Sequence, residues 1–194
     1  FEAGKFGKAV LVEEGTTNVF GSGGRLDTDS NGDGLANNVV VYTLIQSYSM
    51  VTDSWLGTKS QRAVSSGSGA PRLQYHIATP VSTGQVWTVS VRGKAAAGKN
   101  LFIVVKNQND DVFAGSGITY TATGGWDFIS LTFTIPEGVT SIRVQFGLTG
   151  AVAGDWFQYC ALQLEQKPYA TSFIDGTRSP ETLTIPTAGV LNPQ

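Results

Sequence analysis

An acidic loop near the start of the chain carries the spacing with the most specific chemistry. Counted from Asp29, oxygen-bearing side chains occupy positions 1, 3, 5 and 9, a glycine occupies position 6 and a backbone carbonyl is expected at position 7; these residues are Asp29, Asn31, Asp33, Asn37, Gly34 and Leu35. Alternate residues of such a loop face its centre, and the glycine permits the sharp bend that wraps the loop around a hard cation. The pattern predicts a structural calcium ion.

The loop departs from a complete calcium-binding pattern at position 12, where a bidentate carboxylate is expected and Val40 stands. Either Asp27 folds back onto the ion or a carboxylate arrives from elsewhere in the fold; the candidates are Asp53, Glu13 and Glu14. The alternative interpretation is a solvated turn that binds nothing. Three aspartates within seven residues repel one another unless a cation lies among them, which favours calcium and adds Asp27 to the predicted ligands.

Aromatic side chains are the second candidate for chemistry, because an exposed ring stacks on the apolar face of a sugar. The chain has four tryptophans and six tyrosines. Trp87 alternates in step with Val89 and Val91 and is expected in the core. The other tryptophans stand at strand starts or in loops. The candidate stacking platforms are Trp55, Trp126, Trp156 and Tyr75.

Planar polar groups alternate with the apolar residues of several predicted strands. If those strands belong to one sheet, their amides and guanidiniums line a surface suited to sugar hydroxyls. If they do not, the same residues are ordinary solvent-facing positions. The candidate hydrogen-bonding partners are Arg72, Gln74, Arg92, Arg143 and Gln145.

Motifs for catalysis are weaker. The single histidine, His76, stands alone on a strand without a Gly-x-Ser-x-Gly turn in the chain. The carboxylates available for glycoside hydrolysis are Asp110, Glu137, Asp155 and Glu165, and no spacing pairs two of them. Residues 93–100 have phosphate-loop spacing, but they end in Asn and precede a strand, so they are expected to form a hairpin turn. We predict a protein that is not an enzyme.

The elements that must position these residues are strands. Apolar residues recur at every second position over residues 73–77, 87–91, 129–135 and 142–148, which is typical of strands with one buried face. Short runs rich in Gly, Ser, Asn, Asp and Pro separate them. Strands spaced in this way favour an antiparallel sandwich over βαβ units. The predicted class is all-β, an antiparallel β-sandwich.

The two ends of the sequence lack the regular alternation of apolar and polar residues that the middle shows. Residues 8–13 are predicted to form an edge or first strand, and residues 21–38 form a loop with almost no apolar content. Residues 1–170 are expected to form the single sandwich. The proline-rich residues 171–194 are interpreted as a connector to a further domain, with the option that part of it lies as a strand along the sandwich.

The composition of the chain argues against several classes of binding partner and of site. The chain has 13 Lys and Arg against 15 Asp and Glu and no basic cluster, which argues against nucleic acid. No apolar run approaches the ~20 residues of a membrane span. One cysteine and one histidine exclude an internal disulfide and a Cys/His zinc site. The sequence begins without Met or a signal-peptide pattern, so we expect it to be part of a longer polypeptide.

The order of elements resembles a known family. An Asp/Gly loop is followed by KSQRAVSSGSG and RLQYHI, then by VWTVSVRGKA, GGWDFISLTFTIP, SIRVQFGL and DWFQYCALQLE. Over residues 34–165 this series resembles the jelly-roll carbohydrate-binding modules found beside bacterial glycoside hydrolases. The resemblance implies a jelly-roll sandwich without a catalytic centre. In that family an Asp-Asp pair on the closing strand often bears on a structural calcium, but here the corresponding residues are 159–161, so the loop at 29–37 is the better site.

The segments GKFGKAVLVEEGTTN and QLEQKPYATSFIDGTRSP resemble phage structural proteins and phage-derived bacterial surface proteins. This resemblance implies a multidomain protein that is extracellular or carried on a virion or cell surface. We therefore expect a noncatalytic carbohydrate-binding module that targets a larger protein to a polysaccharide or cell-surface glycan. The alternative is a spacer or assembly domain of a phage tail or surface fibre that binds no glycan.

Overall fold

Twelve β-strands and one short 3₁₀ helix make up the regular structure of residues 15–108 and 113–180, which are the residues that the computed structural model describes. The helix spans Gly21–Arg25. No helix in this part of the chain is long and apolar enough to cross a bilayer. The strands are β1 Thr16–Thr17, β2 Val39–Thr43, β3 Ile45–Val51, β4 Ser60–Ser65, β5 Arg72–Pro80, β6 Val86–Ala95, β7 Asn100–Asn107, β8 Phe113–Thr121, β9 Asp127–Thr134, β10 Ser141–Thr149, β11 Trp156–Glu165 and β12 Thr177–Arg178.

Ten of these strands form two five-stranded antiparallel sheets. Sheet I has the order β2-β5-β10-β7-β8, and sheet II has the order β3-β4-β11-β6-β9. Among the described strands of the two sheets, β3 and β4 pair as sequence neighbours, as do β7 and β8, and the other connections cross from one sheet to the other. This alternation is the jelly-roll arrangement, so the predicted fold class is confirmed.

The core lies between the inner faces of the two sheets. Leu73, Val89, Val144 and Phe146 are fully buried there, and Trp87 is 5% exposed. These are the apolar residues that alternate with polar ones in the sequence, so the prediction of which face of each strand is buried is confirmed. Burial of each such side chain stabilises the fold by about 1.5–3 kcal/mol.

The turn after β6 is a corner between the sheets. β6 lies in sheet II and β7 lies in sheet I, and Gly98 supplies the left-handed conformation at the turn with φ 82°. The prediction that residues 93–100 form a hairpin was therefore wrong, although a strand does follow the turn. Periodicity assigns a residue to a face of its strand but does not say which sheet the strand joins.

The polar loop over residues 21–38 is held by a few buried apolar side chains. Phe20, Leu26 and Ala36 are 7%, 1% and 2% exposed, and the Phe20 ring lies 4.3 Å from the ring of Tyr75. The few apolar residues in and beside the loop are therefore the ones that anchor it to the sandwich.

The C-terminal strap, defined as residues 166–178, covers one end of the outer face of sheet II. The hydroxyl of Thr88 on β6 donates to the carbonyl of Lys167 at 2.8 Å, and β12 pairs with β1. The first residues of the predicted connector thus pack on the sandwich. The predicted strand at residues 8–13 and the connector residues 181–194 lie outside the described residues.

Candidate functional site

The residues predicted to contact sugar are divided among three places. The outer face of sheet I carries Arg72, Gln74, Arg143 and Gln145, and the outer face of sheet II carries Trp55, Trp126, Trp156 and Arg92. Tyr75 lies in the core with no exposed surface. The prediction of Tyr75 as a stacking platform was wrong, because it shares the inward parity of Leu73 and faces the other sheet.

Arg72, Gln74 and Gln145 form a hydrogen-bonded row, here called the polar row. Strand pairing places Gln74 on β5 opposite Gln145 on β10. Gln145 Nε2 donates to Gln74 Oε1 at 3.0 Å, and Arg72 Nη1 donates to Gln145 Oε1 at 3.0 Å. Gln145 has no exposed surface and Gln74 is 4% exposed. These bonds fix the orientation of the half-buried Arg72 guanidinium, which lowers the entropy cost of binding a ligand to it.

A groove of about 410 Å³ lies beside the polar row and is lined in part by Arg72, Phe102, Val104 and Lys106. Phe102 and Val104 form its apolar floor, since their neighbours on β7 face the core. Strand pairing sets Phe102 opposite Gly147 and Val104 opposite Gly117. Gly117 puts no side chain over the floor beside Val104, whereas a side chain at Gly147 would collide with the carbonyl of Pro71.

Tyr42 stands beside the same face on the edge strand β2. Its side chain is 40% exposed, and its ring centroid lies 5.3 Å from the guanidinium carbon of Arg72. Sequence reasoning missed Tyr42, Phe102 and Val104. A signal for the last two was present, because residues 101–105 are apolar at both parities, which is unusual for a strand with one solvent-facing side.

Each of the three tryptophans on the outer face of sheet II lies beside a cation. The guanidinium carbon of Arg92 is 4.4 Å from the ring centroid of Trp55, that of Arg62 is 4.6 Å from Trp156, and Lys94 Nζ is 5.9 Å from Trp126. These distances are typical of cation–π contacts. The structure therefore brings the three predicted tryptophans to one face, but it places them on the sheet opposite the polar row.

Asp53 joins this face through two contacts. Lys94 Nζ donates to its carboxylate at 2.7 Å, and Trp126 Nε1 donates to it at 3.2 Å. The hydrogen bond from Lys94 is the main reason why the pKa of Asp53 is lowered. Asp53 was a candidate to complete the calcium site, and the structure places it among Lys94 and Trp126 instead.

The acidic loop is wound so that alternate side chains converge. Asp29 accepts hydrogen bonds from the backbone N–H groups of Gly32 and Gly34, both at 2.8 Å. Asn31 Nδ2 donates to Asp33 Oδ2 at 2.8 Å. Gly34 has φ 90°, the left-handed conformation that a glycine at this position of the loop was predicted to permit.

Two of the predicted calcium ligands close or flank the loop. Asn37 Oδ1 accepts from the backbone N–H of Ser30 at 3.0 Å. Asp27 pairs with Arg25 at 2.8 Å and accepts from the hydroxyl of Thr58 at 2.9 Å, so its carboxylate is engaged beside the loop. Across residues 15–108 and 113–180, no three His, Cys, Asp or Glu side chains form a cluster that would hold a metal. Glu13 and Glu14 lie outside these residues.

Gln61 fixes the acidic loop to sheet II. This fully buried side chain on β4 accepts from the N–H of Ala36 at 2.5 Å and donates to the carbonyl of Gly34 at 3.2 Å. Sequence reasoning missed Gln61, because a glutamine on a strand carries no signal of what it contacts across 25 residues of chain. The side-chain amide of Gln61 therefore holds the C-terminal half of the loop against sheet II.

The carboxylates considered for hydrolysis do not converge on one site. Asp155 precedes β11 and Glu165 ends it, so about 30 Å of strand separates them, against the ~5–9.5 Å that a glycosidase pair needs. Lys99 donates to Asp155 at 2.7 Å, and this bond lowers the pKa of Asp155. Glu137 is exposed in a turn. Asp110 lies outside the described residues.

The chain is similar to known proteins in structure but not in sequence. No protein-family model and no curated protein matches the chain. A family 4 carbohydrate-binding module aligns with a TM-score of 0.57 and 14% identity, over 74% of this chain and 97% of that one. The module TmCBM61, solved with β-1,4-galactotriose, aligns with a TM-score of 0.52 and 15% identity, over 69% of this chain and 92% of that one. The chain has the fold of a jelly-roll carbohydrate-binding module.

An enzyme also contains this fold. The α-L-arabinofuranosidase MgGH51, solved with arabinose, aligns with a TM-score of 0.60 and 12% identity, over 84% of this chain but 28% of the enzyme. The chain therefore spans little more than a quarter of that hydrolase. At such identities the similarity shows the fold, and the resemblance seen in the sequence is confirmed at that level.

Proposed function

We propose that this chain is a noncatalytic carbohydrate-binding module that holds a polysaccharide strand in the groove on the outer face of sheet I. The observation that carries the proposal is the Arg72 guanidinium, which the buried Gln145 amide holds beside the apolar floor of the groove. Sugars present hydroxyls at the ring edge and C–H groups on the ring face, so planar donors and acceptors beside an aromatic floor suit them.

The dimensions of the groove support this function. Its volume of about 410 Å³ falls in the range of ~300–1,000 Å³ that small-molecule sites occupy. Tyr42 adds an exposed ring at the edge of the sheet, within 5.3 Å of Arg72. A ligand that follows the sheet would meet the ring of Tyr42, then the guanidinium of Arg72, then the floor.

A polysaccharide panel tests the proposal. Affinity electrophoresis on plant glucans, xylans, mannans and pectins and on bacterial surface glycans is expected to retard the protein on at least one polymer. Arg72→Ala and Tyr42→Ala are expected to weaken this binding about 10-fold or more, since each removes a charged donor or a stacking ring. Gln46→Leu is the matched control, because Gln46 is exposed on sheet II. The absence of retardation on every polymer would favour the spacer function instead.

We also propose that the acidic loop binds calcium through Asp29, Asn31, Asp33, the carbonyl of Leu35 and Asn37, with Asp27 beside it. The convergence of Asp29, Asn31 and Asp33 and the φ of Gly34 support this assignment. Calcium would neutralise the repulsion among the carboxylates. Isothermal titration of a chelator-treated sample is expected to show calcium binding that Asp33→Asn weakens. The absence of heat at millimolar calcium would refute the site.

The setting of the module is a separate proposal. Its sequence ends resemble phage structural and surface proteins, so we place it in a longer extracellular or virion-borne polypeptide. A single groove binds a polymer modestly, and repetition along a chain raises the avidity. A tandem fusion of two copies is expected to bind its polymer about 100-fold more tightly than one copy; equal binding would count against this setting.

A further inference from the structure

A second groove lies on the opposite side of the molecule, between the tryptophans of sheet II and the C-terminal strap. It has a volume of about 360 Å³. Trp55, Ser90, Arg92 and Phe128 line it from the sheet, and residues 170–173 of the strap close one side. None of these residues belongs to the groove on sheet I.

Arg92 lies between two aromatic rings in this groove. Its guanidinium carbon is 4.4 Å from the centroid of Trp55 and 4.8 Å from that of Phe128. The four ion pairs found among the described residues do not include Arg92. The Arg92 guanidinium contacts two aromatic rings and pairs with no carboxylate of the described residues. Its N–H groups are therefore available to a ligand. Ser90, which is 3% exposed, adds a hydroxyl to the lining.

The charge of this face favours an anion. Arg62, Arg92 and Lys94 project from it beside the tryptophans. The carboxylates near them are Asp53 and the buried Glu165, which accepts from Thr171 in the groove lining. Asp53 neutralises Lys94 at 2.7 Å. The remaining excess of positive charge occurs in a chain whose net charge is −2.

Contacts between the Trp55 segment and strands β4 and β11 fix the shape of the groove. The hydroxyl of Ser60 donates to the carbonyl of Asp53 at 2.6 Å, and the buried thiol of Cys160 contacts the backbone of Trp55. Ala161 lines the groove at a bulge of β11 with φ 53°, a conformation that costs free energy in a residue other than glycine. Such strain is common where a backbone is shaped for a ligand.

We propose that this groove binds a carboxylate-bearing sugar, namely a hexuronate residue of an acidic polysaccharide. The sugar carboxylate accepts two parallel hydrogen bonds from the Arg92 guanidinium, and the sugar ring stacks on Trp55 or Phe128. The guanidinium fork matches carboxylate geometry, and its position between rings reduces its contact with water. The site is separate from the proposed sheet I groove and does not depend on it.

The test compares polygalacturonate with its methyl ester and includes alginate as a second polymer of uronates. Affinity electrophoresis on polygalacturonate and alginate is expected to retard the protein, and fully methyl-esterified pectin, which lacks the carboxylates, is expected to bind about 10-fold more weakly or not at all. Arg92→Lys keeps the charge but loses the fork, and Arg92→Gln loses both; both variants are expected to weaken binding to the acidic polymers. Trp55→Ala is expected to do the same.

The controls separate this site from general effects of substitution and from general attraction of polyanions. Gln46→Leu, at an exposed position of β3 that lines neither groove, is expected to leave binding to the acidic polymers unchanged, and urea unfolding of each variant verifies that it folds. The proposal is overturned by equal affinity for polygalacturonate and its methyl ester, by unchanged binding in Arg92→Gln, or by no retardation on either acidic polymer. Equal retardation of wild type and Arg92→Lys on dextran sulfate and polygalacturonate would show non-specific charge attraction and would also overturn it.

Discussion

At the scale of single residues, Tyr159 shows how the two sheets are joined beneath the sheet I groove. From β11 its hydroxyl donates to the carbonyl of Gly147 at 3.0 Å and reaches the carbonyl of Phe102 at 3.2 Å, both on sheet I. The ring packs on Phe146 with centroids 4.9 Å apart. Complete burial raises the pKa of Tyr159 far above its ordinary value, so the hydroxyl stays protonated and keeps donating.

We expect Tyr159→Phe to lower the free energy of unfolding by about 1–2 kcal/mol, because the hydroxyl that donates to the buried carbonyl of Gly147 is lost while the ring is retained. Urea denaturation followed by tryptophan fluorescence measures the change. Tyr48→Phe is the control, since Tyr48 is 38% exposed on an edge strand, and its effect is expected to be small. Equal stability of wild type and Tyr159→Phe would mean that the hydroxyl adds nothing to the joint between the sheets.

At the scale of elements, the turn between β10 and β11 is linked to the corner between β6 and β7. Asp155 accepts from Lys99 at 2.7 Å and from the N–H of Val152 at 2.9 Å. The hydrogen bond from Lys99 is the main cause of the lowered pKa of Asp155. A carboxylate whose pKa is lowered in the folded state adds stability above its unfolded pKa, and that stability is lost as the pH falls through the folded value.

We therefore expect wild type to lose more stability than Asp155→Asn when the pH falls from 5 toward 2. At pH 7 the variant is expected to be less stable by about 0.5 kcal/mol, because the ion pair is partly exposed. Urea midpoints at several pH values measure both effects. Glu137→Gln, at an exposed turn, is expected to follow the wild-type curve. Parallel curves for wild type and Asp155→Asn would rule out this contribution.

The C-terminal strap is tied to the sandwich through a buried carboxylate. Glu165 at the end of β11 has no exposed surface. It accepts from the hydroxyl of Thr171 at 2.6 Å, from the N–H of Thr171 at 3.0 Å and from Gln163 Nε2 at 2.6 Å, and Thr16 on β1 donates at 2.5 Å. A buried carboxylate is tolerated when several donors satisfy its oxygens. The strap is thereby part of the domain.

We expect Thr171→Val to cost about 1–2 kcal/mol, because it removes a hydroxyl donor from a buried carboxylate without changing the shape of the side chain. Limited proteolysis is expected to cut the strap faster in this variant. Thr134→Val, at an exposed position of β9, provides the comparison. If both valine variants resisted protease as wild type does, the bond from Thr171 would not be what holds the strap.

At the scale of the whole molecule, the acidic loop connects the N-terminal segment to both sheets. Gln61 on β4 of sheet II holds the carbonyl of Gly34 and the N–H of Ala36, and the loop leads directly into β2 of sheet I. An ion bound in this loop would therefore stabilise the folded sandwich as a whole.

We expect calcium at about 100 times its dissociation constant to add ~2.7 kcal/mol and to raise the Tm by roughly 5–10 °C. Differential scanning calorimetry with calcium, with magnesium and with chelator measures this shift. Asp29→Asn is expected to abolish the calcium effect, since Asp29 holds both Gly32 and Gly34. An identical Tm with calcium and with chelator would show that the loop is stable without an ion.

The sequence by itself determined the strands and their buried faces. The alternation of residues such as Leu73, Val89 and Phe146 with polar neighbours fixes which side of each strand is apolar, and the β-sandwich follows from the number and spacing of the strands. The wound acidic loop was also readable, because its Asp, Asn and Gly residues act within a few positions of one another.

Only the tertiary structure decided which outer faces the strands share. Pairing of β5 with β10 brings Gln74 and Gln145 together, although 71 positions separate them in the chain, and pairing of β6 with β11 sends Arg92 to the opposite sheet. The same packing turned Tyr75 inward and left Trp55 and Arg92 facing the strap. A period of two carries no information on strand partners, because long-range register is chosen by the packing of the whole core.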